Sequence, residues 1–346
     1  VAPEYVFVTN AGSNNVSAFH INTGTGALTT VTGSPFAAGL GPRGLAVAVG
    51  EPRFLYVANT GSNSISAFHI LAGTGALTTV TGSPFPAHGT APDGVASIGK
   101  CVFTANGGSN TVSAFYIKGS PHYGALMFEA NYGTAGSQPE NIAIDAASPF
   151  NPFVYVTNEG SNNIIAYKAV PTYPCTLTPV AGSPFATGGT GPFGVAVDPT
   201  GPPGPYVVVA NLASSNVSFF TIGGGGALTL LGILSSGYNS PVGVAVSNGY
   251  AFAPNENSNN VSSYQINQLA VLGSPGTGTY PQGVAVDPLG LYAYVANEST
   301  HNVSVYAISS TGTLTSVGSP VLTGGTGPEF LATCQRSGNK CKPPPL

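Results

Sequence analysis

Tyr5-Val6-Phe7-Val8-Thr9-Asn10 is an apolar run closed by an asparagine, and the chain repeats this pattern six more times. The later copies include Leu55-Tyr56-Val57-Ala58-Asn59 and Val154-Tyr155-Val156-Thr157-Asn158, and the others end at Asn106, Asn211, Asn255 and Asn297. Successive asparagines stand 42 to 53 residues apart. A period of that size, filled with short strands and Gly-rich turns, marks the blade of a β-propeller.

Each repeat divides into four strand-like pieces. The first is Pro-x-Gly-Val-Ala-Val, as in Pro42-Arg43-Gly44-Leu45-Ala46-Val47, with further copies at Pro192, Pro241 and Pro281 and variants at Pro92, Pro139 and Pro328. The Asn-ended run is the second, and both are apolar on both faces, as strands covered by neighbouring blades must be. The third, Asn-Val-Ser-Ala-Phe-x-Ile, alternates. The fourth, Gly-Ala-Leu-Thr, runs on to Gly-Ser-Pro-Phe and suits an outer edge, where proline breaks no ladder. The chain starts in piece two and ends in piece one, at Pro328. The expected fold is therefore all-β: a seven-bladed propeller of four-stranded antiparallel blades. Its C-terminal strand closes the ring as the innermost strand of the N-terminal blade. Residues 1–334 form this propeller, and 335–346 a Cys- and Pro-rich tail.

Charge is scarce. Only 6% of the 346 residues are Asp, Glu, Lys or Arg, against about 25% in ordinary domains. Eight cations against 12 acids build no basic groove for nucleic acid. No apolar stretch approaches the ~18 residues of a membrane-spanning helix. A surface of Ser, Thr, Asn and Gly resists association weakly, so self-association is expected, with 342–346 docking on a neighbouring copy. The composition, and a start at Val1 rather than Met, suggest an extracellular or cell-surface protein whose leader has been removed.

Cys334 and Cys341 flank six residues and are expected to form a disulfide. Cys101 and Cys175 lie in different repeats, and spacing does not say whether they pair. The five histidines share no metal-like spacing, and neither a metal site nor a cofactor is expected. Asp145, Asp198 and Asp287 end the innermost strand and are read as turn residues, two of them in Asp-Pro-x-Gly.

The residues after the prolines of piece one ring the channel mouth: Arg43, Asp93, Glu140, Phe193, Val242, Gln282 and Glu329. Arg43, Asp93, Glu140, Gln282 and Glu329 are the ligand candidates, because converging charges in a confined space bind polar groups. No catalytic residue is assigned.

The Asn-ended strand, recurring in register with Pro-x-Gly-Val-Ala-Val, resembles the YVTN-type propeller repeats of microbial surface-layer and other secreted proteins. It is also similar to the propeller lactonase family, which includes 6-phosphogluconolactonase-like and muconate-cyclising enzymes. Asn158-Glu159, Asn255-Glu256 and Asn297-Glu298 match that family's Asn-Glu strand end, and Gly41-Pro42-Arg43 its first-strand element, with Gly44 where the family has His. The family resemblance implies a lactone held by His, Arg and Glu in the channel mouth. The leading expectation is nevertheless a non-catalytic structural or interaction propeller, assembling into an array or filament, without efficient lactone hydrolysis. The alternatives are a lactonase-like hydrolase and a propeller that binds a small ligand or cation in its channel.

Overall fold

The computed structural model describes residues 4–48, 53–145, 152–199, 201, 204–337 and 340–342. Among these residues seven antiparallel sheets surround a central channel, and almost no helix is present. In blade 2 the innermost strand is Pro42–Ala48, followed outwards by Phe54–Asn59, Ser64–Ile70 and Leu77–Thr79. The other blades repeat this order. In blade 1 the C-terminal strand Pro328–Ser337 pairs with Glu4–Asn10, with Tyr5 opposite Cys334 and Val8 opposite Leu331. It lies inside the N-terminal strands and ties the ring shut, as the repeat order predicts.

The recurring residues have local tasks. Every residue of Glu4–Asn10 and of Phe54–Asn59 is buried, since these second strands are covered on both faces. The terminal asparagine pins the hairpin to the third strand: Asn10 Nδ2 donates to Asn15 Oδ1 at 2.7 Å and to Ser17 Oγ at 2.8 Å. Asn211, Asn255 and Asn297 repeat both bonds five and seven residues on. These bonds explain the Asn-Val-Ser triplets as turn chemistry, because their asparagine oxygens are the acceptors.

The outer Gly-Ser-Pro also has a structural role. Proline interrupts the outer strand, and the preceding serine hydroxyl accepts the third-strand N–H left without a carbonyl partner. Ser34 takes that of Ala18 at 2.9 Å, and Ser83 and Ser183 take those of Ala67 and Ala166 at 2.8 Å each. The edge is blunted without leaving a donor unpaired.

Two features of the innermost strand place the site. In blade 2, Pro42 pairs with Asn59 but Leu45 with Val57, so one extra residue is bulged out of the ladder. The same shift recurs in blades 1, 3, 4, 5 and 7. Such a bulge re-aims a side chain, and here it frees the residue after proline to reach the channel mouth. The glycine that follows is required by packing. A Cβ on Gly44 would lie 2.3 Å from the carbonyl oxygen of Asp93, and one on Gly283 2.4 Å from that of Glu329. The innermost strands converge too closely for any side chain at those two positions, histidine included.

Cys101 and Cys175 form a disulfide, with Cα atoms 5.7 Å apart. It joins the second strand of blade 3 to the start of the outer strand of blade 4, on the face away from the mouth. Cys334 is buried and disulfide-bonded. The side chain of Cys341 and the tail segment 343–346 lie outside the described residues.

Candidate active site

The bulges bring four of the five ligand candidates into one network. Arg43 Nη1 donates to Asp93 Oδ2 at 2.6 Å, and Arg43 Nε donates to Glu329 Oε2 at 2.5 Å. Glu140 is hydrogen-bonded to Asp93 through their carboxyl groups. The guanidinium carbon also lies 5.9 Å from the ring centroid of Phe193. Arg43 thus connects blades 1, 2, 3 and 5 and sits near the propeller axis. Phe193 and Phe330, from blades 5 and 1, stack with centroids 6.3 Å apart and planes inclined by 6°. Phe330 occupies the position that is glycine in most repeats, and its ring fills space across the channel.

Gln282, the fifth candidate, belongs to a second network. Its Nε2 donates to Glu256 Oε1 and Glu298 Oε2, both at 2.9 Å. Glu256 and Glu298 follow the terminal asparagines of blades 6 and 7, and Glu159 holds the same place in blade 4. The sequence reading did not choose these three as site residues. Their signal was present in the Asn-Glu pairs, which stand on the loops beside the bulged position. Val242 adds a buried apolar wall, packed in the same cluster as Phe193 and Phe330.

Below the mouth lies a cavity of about 140 Å³, lined by residues that include Leu45, Val95, Val195 and Phe330. This is small against the 300–1,000 Å³ of typical ligand pockets. The cavity is too small to enclose a sugar-sized ligand.

Burial opposes the charge of Arg43, but Asp93, Glu329 and Glu140 outweigh it and hold the guanidinium protonated. Glu140 is pushed well above the ordinary carboxylate range, first by burial and then by Asp93 and Glu159, so it keeps its proton at neutral pH. Burial also raises Glu329, against the opposing pull of Arg43, and Glu256, where Glu298 adds to the effect. Asp287 is raised by burial as well, although it accepts from the backbone N–H groups of Leu291 and Tyr292, each at 2.6 Å, in a tight turn. Among the described residues no group of three His, Cys, Asp or Glu side chains is arranged to hold a metal ion.

These shifts carry a sign for stability. All four carboxyls have folded pKa values above their unfolded ones, so the native state binds protons more readily. Their contribution is fully present below the unfolded value near 4.3 and is lost as pH rises through the raised folded values. The urea midpoint is expected to be higher at pH 5.5 than at pH 8. A midpoint that climbs from pH 5.5 to pH 8 would contradict this assignment of the shifts.

The family model described as Lactonase, 7-bladed beta-propeller matches residues 2–179 and 147–274. The chain belongs to the seven-bladed β-propeller lactonase family. No curated protein matches it by sequence. Among solved structures, it resembles a candidate 6-phosphogluconolactonase from Bacteroides fragilis with a TM-score of 0.80 at 18% identity, covering 96% of this chain and 98% of that one. The periplasmic gluconolactonase of Pseudomonas aeruginosa gives a TM-score of 0.74 at 16% identity, covering 95% and 99%. Virginiamycin B lyase from Staphylococcus aureus gives 0.58 at 15%, covering 86% and 92%. At such identities the likeness shows the fold alone.

Family membership overturns the leading expectation of a non-catalytic structural propeller. That expectation weighed the low overall charge and assigned no catalytic residue at the mouth. In the fold the mouth carboxylates are linked through Arg43 and Gln282, and the lactonase alternative is the better reading.

Proposed function

We propose that the protein hydrolyses a lactone at the channel mouth, using Arg43, Asp93 and Glu140. The observation that carries this reading is the Arg43–Asp93–Glu140 cluster: a fixed guanidinium, a carboxylate bonded to it, and a protonated carboxyl bonded to that carboxylate. Two of the five N–H donors of Arg43 serve carboxylates, and its side chain keeps 28% of its surface exposed. The remaining donors are available to a carbonyl oxygen at the opening.

In this scheme Asp93 takes a proton from water as the water oxygen bonds to the lactone carbonyl carbon. Arg43 stabilises the oxyanion that forms. Collapse of the intermediate breaks the ring C–O bond, and Glu140 gives its proton to the departing alkoxide. The product is an open hydroxy acid. Asp93 then returns its proton to Glu140 through their hydrogen bond. Family membership and the likeness to lactonase folds support the reaction class. The Cys101–Cys175 bridge supports an oxidising compartment.

The test is the pH dependence of kcat/KM for glucono-δ-lactone, corrected for spontaneous hydrolysis. The wild type is expected to lose activity on an alkaline limb well above the ordinary carboxylate range, as Glu140 ionises. Glu140→Gln is expected to lower kcat about a hundredfold or more and to remove that limb. An unchanged alkaline limb in the variant would rule out Glu140 as the acid.

A further inference from the structure

We infer that Glu159, Glu256 and Glu298 form a charge filter, through which the mouth accepts neutral polyhydroxylated lactones and turns away phosphorylated or carboxylated ones. This inference rests on the lactonase reading and goes beyond it by naming the residues that select the substrate.

The mouth gathers Asp93, Glu140, Glu159, Glu256, Glu298 and Glu329, half of the chain's 12 acids, around Arg43. The other cations whose side chains are described, Arg53, Lys100, Lys118 and Lys168, stand at or beyond the opposite strand ends. Arg43 already serves two carboxylates. With Glu140 holding its proton, five carboxylates still face one guanidinium, so an incoming phosphate meets net repulsion and no spare cation. Like charges confined near low-dielectric walls repel more strongly than in water.

The same groups suit a neutral polyol. Glu256 and Glu298 are fixed by one Gln282 nitrogen, which leaves carboxylate lone pairs to accept from substrate hydroxyls. The nearly parallel Phe193 and Phe330 rings, largely buried beside Arg43, add an apolar wall to the mouth. An apolar wall and a rim of acceptors match a ring with C–H faces and a belt of hydroxyls. It offers little to a phosphate.

The test compares kcat/KM for glucono-δ-lactone and its 6-phosphate, on the full chain, in the wild type and in the Glu256→Gln/Glu298→Gln double variant. Glutamine keeps an acceptor for Gln282 while removing charge. The wild type is expected to prefer the neutral lactone by roughly thirtyfold or more, and the double variant to lose about tenfold of that preference. Raising the salt from 50 to 500 mM should speed only the phosphorylated substrate. Preference for the phosphorylated lactone, or an unchanged ratio in the variant, would overturn the filter. If neither lactone is turned over, the hydrolase reading fails, and calorimetry with the uncleavable gluconolactam and its 6-phosphate decides the filter separately. Binding of the neutral lactam alone supports the filter. Equal binding of both, or binding of neither, overturns it.

Discussion

Arg43→Ala is expected to lower kcat/KM for glucono-δ-lactone about a thousandfold while the propeller remains folded. Removing one donor to a developing oxyanion costs roughly 10²- to 10³-fold in other hydrolases, and Arg43 has a second role here. It is the positive charge between Asp93 and Glu329, and it opposes the rise in the pKa of Glu140 and of Glu329. Without it, Asp93 faces Glu140 and Glu329 with no counter-charge, and its geometry as a base loosens. Arg43→Lys keeps the charge but cannot hold two carboxylates with one planar fork, so an intermediate loss is expected. The fold should survive, because Arg43 projects from a bulge into the mouth and no strand pairing depends on its side chain. If Arg43→Ala retained activity within about threefold of wild type, the guanidinium would have no part in the chemistry.

Removing the bridge with Cys101→Ser/Cys175→Ser is expected to destabilise the protein by about 4 kcal/mol. The two cysteines are separated by 74 residues, and closing a loop of that length restrains the unfolded chain by about this amount on the entropic model. The bridge joins adjacent blades 3 and 4 on the face opposite the mouth. The loss should therefore show in the urea midpoint rather than in kcat/KM measured on folded protein. A midpoint unchanged after mutation, or a wild-type midpoint unchanged by reductant, would show that the bridge adds no stability.

The fold was legible because each repeated residue does a job that recurs at the same place in several blades. The terminal asparagine holds a hairpin, the serine before proline rescues an edge N–H, and glycine admits the neighbouring strand. These are local requirements, and they leave a period in the sequence. The bulge after the proline also recurs, which is why Arg43, Asp93, Glu140, Gln282 and Glu329 could be placed on one rim.

What could not be read was contact across the ring. Arg43 meets Phe193 from blade 5, and Phe193 meets Phe330 from blade 1, through rotamers that no spacing encodes. The Cys101–Cys175 pair was hidden for the same reason, since its partners lie 74 residues apart and meet only when blades pack side by side. Average composition also misled. A charge content of 6% suggested a surface without chemistry, but half of the acids collect at one mouth, where burial and mutual repulsion raise the pKa values of Glu140, Glu256 and Glu329.

The most direct measurement is acid release in a pH-stat at pH 7 with glucono-δ-lactone and the full-length protein. Saturable hydrolysis above the spontaneous rate, and lost in Arg43→Ala, is the predicted result. A rate equal to the spontaneous one, from protein shown to be folded and disulfide-bonded, would contradict the account.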